Sequence, residues 1–185
     1  MIIRNSPEVL TDDFFCKKFA YKYLTEQRVI RLGNIISFLS PVQLTVDDKI
    51  HISEQSINFC IEVPDIAIYS GVCLQKLFLT NVANILGNKY LNSEIELLNN
   101  DIIVKKEHKH QGINQLDGIV SLSTIKLVNN SILMYIGLYN IAGDQSIPRA
   151  FSLGFEEDKC NKIMDSINEN FYYLVHNIFV TTSKI

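Results

Sequence analysis

Apolar and polar residues alternate with two different periods along this chain, and each change of period marks an element. Phe15, Phe19 and Tyr23 recur at four-residue spacing, with Ala20 and Leu24 beside them and Asp12 and Asp13 ahead. That spacing puts the apolar side chains on one helical face, and the two acids supply an N-cap and a favourable charge at the helix start. Two apolar runs follow, Asn34 to Pro41 and Ser56 to Pro64, each ending in proline. Both are predicted strands closed by that proline. From Val72 through Leu74, Leu77, Phe78, Val82 and Ile85 to Leu86 the period is helical again, with Gly87 as the predicted stop.

Beyond Gly87 the pattern turns to strands. "SEIELL" and "DIIVKK" flank Asn99-Asn100, while "GIVSLSTIKLV" and "SILMYIGLYNI" flank Asn129-Asn130. Asparagine pairs tolerate the left-handed backbone of tight hairpin turns. Roughly from Glu156 to Val180, Cys160, Ile163, Ile167, Phe171, Leu174 and Ile178 fall at helical spacing behind a cluster of acids, which predicts a long final helix. The order helix, strands, helix, hairpin strands, helix describes an α+β fold with a mostly antiparallel sheet flanked by helices. No repeat, low-complexity tract or Pro/Gly-rich linker divides the chain, so residues 1–185 are expected to form one domain.

Composition narrows the partners. Hydrophobic residues make up 47% and charged residues 20% of the 185, an ordinary globular balance. A formal net charge of −3 argues against a general nucleic-acid or anionic-membrane binder. Cys16, Cys60, Cys73 and Cys160 are widely spaced with no CxxC pair, the pattern of reduced, mostly buried thiols in a cytoplasmic protein. The N-terminus lacks the basic and apolar regions of a signal peptide. No run approaches the roughly 18 apolar residues that span a bilayer.

Candidate chemistry concentrates between Asn99 and Val128. His108 and His110 at i, i+2 would share one face of a strand, as zinc ligands can. Lys105, Lys106 and Lys109 surround the pair and would repel a cation, so no metal site is assigned and a solvated loop is the plainer reading. The same cationic and donor groups suit a phosphate or carboxylate better. No GxSxG elbow, P-loop or GxGxxG stretch occurs, and the cysteines occupy apolar periodic positions.

The second half resembles the biotin/lipoate protein ligase superfamily, whose core is shared with class II aminoacyl-tRNA synthetases. "LLNNDIIV" is similar to the ligase segment "KWPNDLLV", which matches Asn100 and Asp101 to the family's Asn-Asp. "INQLDGIVSLSTI", with Gly118, resembles the catalytic-lysine segment "RKLGGILVE". "MYIGLYNIAGDQSIPRAFSL" resembles the strand "GIGLNVN" and the Pro…Ser-Leu loop beyond it, with Gly137, Asn140, Pro148, Ser152 and Leu153 at the matching positions. Over most of its length the chain also resembles a small prokaryotic family of unknown function in that superfamily. That family's "WAYxxFG…GDSIVxFxGP" is similar to "FAYKYLTEQRVIRLGNIISFLSP", and its "LHFIVE" to "INFCIE".

The resemblance implies ATP-using chemistry, in which a small carboxylic acid becomes an adenylate and its acyl group passes to a lysine of an acceptor protein. Such chemistry needs a cation at the carboxylate and α-phosphate. The family's lysine falls here on Gln115 or Asp117, and the first lysine of "KWPND" is replaced by Leu97. No Gly-rich adenylate loop is present either. The expected site therefore combines Asn100, Asp101, His108, His110, Gln115, Gly118 and Asn140 as ligand-binding residues. Lys105, Lys106 and Asp117 hold the catalytic positions, with a lysine of the Lys105–Lys109 stretch as the replacement cation. The alternative is a catalytically inactive binding module, or an accessory protein that dimerises through a sheet edge or the helix face from Tyr69 to Leu86.

Overall fold

A computed structural model describes residues 2–3, 9–11, 33–46, 48–91, 93–105, 117–128 and 131–182. The predicted first helix, with Asp12, Asp13, Phe15, Phe19 and Tyr23, lies outside the described residues. In chain order the strands are β1 (Ile2–Ile3), β2 (Leu10–Thr11), β3 (Asn34–Val46), β4 (Lys49–Pro64), β5 (Ile95–Leu98), β6 (Asp101–Val104), β7 (Gly118–Ile119), β8 (Ser121–Val128) and β9 (Ser131–Ile141). The described helices are α1 (Ile68–Ile85) and α2 (Glu157–Thr182). The main sheet runs β1-β3-β4-β9-β8 with β2 also on β3, and a smaller sheet runs β5-β6-β7. Among the strands described, only β1 and β2 pair in parallel, so the fold is α+β with a mostly antiparallel sheet, as the periodicity predicts.

Three local expectations change. Pro41 does not close a strand: β3 continues through it to Val46. The β3–β4 ladder shifts register between Ser40 and Val42, and at that irregularity a residue without an N–H leaves no rung broken. Gly87 does not stop the helix, because the chain continues as a single π turn over Leu86–Tyr90, closed by the Leu91 N–H on the Leu86 carbonyl at 2.7 Å. Cys60 and Cys160 are buried, but Cys73 is exposed. It shares an outward stripe of α1 with Tyr69 and Leu77, opposite the core-facing Leu74 and Phe78. Asn99 does adopt the left-handed backbone its turn requires, with φ of 57°.

Strand parity gives the main sheet two buried faces. Ile35, Leu39, Ile57, Phe59, Ile61, Met134, Ile136 and Leu138 face the helices and pack with Phe78, Val82, Ile163, Ile167 and Phe171. The rings of Phe78 and Phe171 meet edge to face at 5.4 Å and join the two helices. The opposite parity places Ile36, Phe38, Cys60, Leu122, Tyr135 and Tyr139 in a second apolar cluster. Burial on both faces is why β3, β4 and β9 read as nearly continuous apolar runs rather than clean alternations.

The second face has a polar centre. Asn58 is fully buried on β4 and sends its amide N–H groups to the Phe38 carbonyl at 3.3 Å, Ser40 Oγ at 3.1 Å and the Ser56 carbonyl at 3.0 Å. Its Oδ1 accepts from the Tyr135 hydroxyl at 2.8 Å. Tyr135 reaches it by lying along β9 over Gly137, the residue directly paired with Asn58. A Cβ at position 137 would collide with the Tyr135 hydroxyl and sit 2.8 Å from Cζ. Gly137→Ala is therefore expected to expel the phenol and leave Asn58 Oδ1 unsatisfied, at a cost of about 1–3 kcal/mol. Urea unfolding of the two proteins checks this.

Candidate functional site

The β5–β6 hairpin carries the Asn-Asp pair. Leu98 pairs with Asp101 across the ladder, so Asn99 and Asn100 make the tight turn between them. Two other elements, α1 and β8, fasten that turn with three bonds. Lys76 of α1 donates from Nζ to the Asn99 carbonyl. Ser123 Oγ donates to the Asn100 carbonyl at 3.0 Å, and the Ile102 N–H donates to Ser121 Oγ at 2.7 Å. The Asn100 side chain is exposed, and Asp101 is half-buried beside it. Burial, and secondly the charge of Asp101, push the Tyr139 phenol well above its ordinary pKa. The Tyr139 hydroxyl is buried and has no hydrogen-bond partner among the described residues.

The far end of β6 carries the charged cluster. Lys105 Nζ bonds to Asp117 Oδ2 at 2.8 Å and to Glu96 Oε2 at 2.7 Å. The bond to Asp117, then that to Glu96, raises the Lys105 pKa, so the ammonium stays charged at every physiological pH. Gly118 is buried beneath Phe151, and a Cβ there would come within 2.6 Å of the Phe151 Cβ. Arg149 donates from Nε to the Asp117 carbonyl at 3.0 Å, and its own carbonyl accepts from the Ile119 N–H at 2.8 Å. At about 3.3 Å per strand residue, Asp101 and Lys105 stand roughly 13 Å apart.

Asn140 connects this end to the C-terminal helix. It is buried at the end of β9, with Nδ2 on the Phe155 carbonyl at 3.0 Å and on Gln55 Oε1 at 2.6 Å. Its Oδ1 accepts from the Phe155 N–H at 2.8 Å. The structure thus places Asn100 and Asp101 together, gathers Lys105, Asp117 and Gly118 about 13 Å away along the strand, and uses the Asn140 amide inside the fold. Lys106, His108, His110 and Gln115 lie outside the described residues. Among the described residues, no three His, Cys, Asp or Glu side chains are grouped as a metal site requires. Sequence reasoning missed Glu96, Tyr139 and Arg149. Tyr139 sits in an apolar strand and reads as core, and nothing in the local pattern marks the other two. Asn140→Ala should strand both backbone groups of Phe155 and the Gln55 carboxamide, lowering stability by about 1–3 kcal/mol in urea unfolding.

No protein-family model matches the chain, and no curated protein matches it in sequence. Solved structures do match in fold. A protein of unknown function from Pyrococcus horikoshi superposes with a TM-score of 0.74 at 17% identity, covering 100% of this chain and 97% of its own. A two-part lipoate protein ligase from Thermoplasma acidophilum gives 0.54 at 9% identity, over 91% of this chain and 84% of that one. The biotin acetyl-coenzyme A carboxylase synthetase of Helicobacter pylori, with bound biotinylated ATP, gives 0.51 at 11% identity, over 97% and 80%. The arrangement of helices and antiparallel sheets described above is therefore the biotin/lipoate protein ligase fold.

Proposed function

We propose that this protein binds a small carboxylic acid, or the adenylate made from it, along β6 between the Asn100–Asp101 turn and the Lys105–Asp117 end. The observation that carries this reading is the corner at Asp101. Two elements hold the turn, and the buried Tyr139 hydroxyl, which feels the Asp101 charge, has no partner among the described residues. Burying a hydroxyl without a hydrogen bond is costly, so a polar ligand atom there would relieve a penalty the fold otherwise bears. The roughly 13 Å between the two ends suits an elongated ligand of adenylate size. Ligands of this class accompany the fold elsewhere: biotinylated ATP in the Helicobacter pylori synthetase and lipoic acid in a Thermoplasma acidophilum protein named as a lipoate ligase relative. In this reading Asn100 and Asp101 orient the ligand at the turn, and Gly118 and Asn140 shape the floor and its support. By the resemblance, Lys106 is a further candidate catalytic residue, and His108, His110 and Gln115 are further candidate ligand-binding residues.

A second reading, a binding module without ligase chemistry, draws on Lys105. Where the resemblance calls for a free catalytic cation, this ammonium is bonded to two carboxylates. ATP–pyrophosphate exchange over a panel of short- and medium-chain carboxylic acids, run beside thermal denaturation, separates the two. Exchange stimulated by one acid establishes adenylation. Stabilisation by an acid without exchange assigns the binding module, and at 100 times its Kd that ligand should add roughly 2.7 kcal/mol. The absence of both exchange and stabilisation with every acid, with or without ATP, overturns the proposal. Asp101→Asn should weaken whatever stabilisation is found.

A further inference from the structure

Four residues other than glycine hold a left-handed backbone among the described residues: Asp48, Asp65, Asn99 and Arg149. Aspartate and asparagine tolerate that region because their short polar side chains bond locally. Arginine has no such compensation, and glycine would hold a φ of 71° more cheaply. The strain is imposed by the docking of its neighbours on β7. The Arg149 carbonyl takes the Ile119 N–H, Ala150 bridges Ile119 in parallel, and the Phe151 N–H returns to the Ile119 carbonyl at 2.8 Å. Backbone strain held this firmly at a large charged residue points to a use for the side chain.

The side chain is also aimed. Its Nε is fixed on the Asp117 carbonyl, which sets the plane of the guanidinium beside Asp117 and Gly118. A guanidinium carries five N–H donors, so the four on its two terminal nitrogens remain. Arg149 makes no ion pair with a carboxylate among the described residues, whereas Lys105 holds both Glu96 and Asp117. The resemblance implies a lysine just ahead of β7, and here the matching position carries Gln115 or Asp117.

We infer that Arg149 is the residue that receives the ligand's oxyanion in this site, as a forked guanidinium in place of the missing lysine. The inference rests on the proposed ligand reading. Its chemistry is shared by two groups, the carboxylate of the acid and the phosphate of the nucleotide, since a planar fork matches either bidentately. Lys105 then serves as a clasp between Glu96 and Asp117, keeping the acid of Asp117 turned away from the incoming anion.

Calorimetric titration with AMP and, separately, with octanoate tests this on the whole chain, with wild type, R149G, R149Q and R149K. Glycine suits the backbone and removes the side chain, and glutamine keeps a donor for the Asp117 carbonyl without charge. Both are expected to lose at least roughly tenfold in affinity for one probe, and R149K to recover only part of it, because an ammonium keeps the charge without the fork. The unfolding midpoint of R149G should hold or rise, because its strain is gone. The probe that weakens identifies which oxyanion is held. Wild-type affinity for both probes in R149G and R149Q overturns the assignment while leaving the ligand proposal standing. Failure of the wild-type protein to bind either probe or any acid of the panel overturns both.

Discussion

The return segment after β9 is zipped to the sheet by backbone bonds, and the candidate site depends on that zipper. Asn140 takes the Phe155 N–H and gives an N–H to the Phe155 carbonyl. The Gly154 and Leu153 N–H groups bond to the carbonyls of Asn140 and Tyr139. Ser152 Oγ accepts from the Ala142 N–H at 2.9 Å, and Arg149 and Phe151 hold the N–H and carbonyl of Ile119 along one edge. One irregular stretch thereby satisfies the end of β9 and the outer edge of β7 at once. It sets the start of α2, the lid of Phe151 over Gly118 and the direction of Arg149.

That arrangement explains how polar groups accumulate near an otherwise apolar sheet without loosening it. Asn58, Tyr135, Ser40, Ser53 and Ser56 satisfy one another or the backbone at the middle of the second face. Burial pushes the Tyr135 phenol and the Cys60 thiol far above their ordinary pKa values, so both stay neutral in that layer. The charged candidate residues lie instead at the two ends of β6, with Asp101 at one and the Lys105, Glu96, Asp117 and Arg149 group at the other. Among the described residues the middle of this face is therefore a hydrogen-bonded, uncharged floor.

How much of this the sequence discloses depends on range. Period and turn chemistry are local, so α1, α2 and the strands around Asn99-Asn100 were readable from short windows. Pro41 and Gly87 misled because their roles depend on what lies opposite or beneath them: a register shift against β4 for the proline, and a π turn under Ile95 for the glycine. Asn100, Asp101, Gly118 and Asn140 could be named from the motifs they match. The Lys105 contacts could not. Glu96 and Asp117 lie 9 and 12 positions from it, and only the register Val104–Gly118 beside Ile95–Val104 brings all three together. Arg149 is less legible still, because backbone strain leaves no trace in residue order.

The Tyr135–Gly137–Asn58 contact has a consequence for how this chain can drift. Removing the tyrosine hydroxyl alone would not open room at position 137, since the ring carbon Cζ would still lie 2.8 Å from any Cβ placed there. Position 135 must therefore shrink well below phenylalanine before 137 can gain a side chain. Asn58 must also give up its polarity or find another donor for Oδ1. A side chain gained at 137 before position 135 shrinks would collide with the Tyr135 ring. Positions 58, 135 and 137 on the floor of the second face are thus coupled, and a change at one constrains the other two.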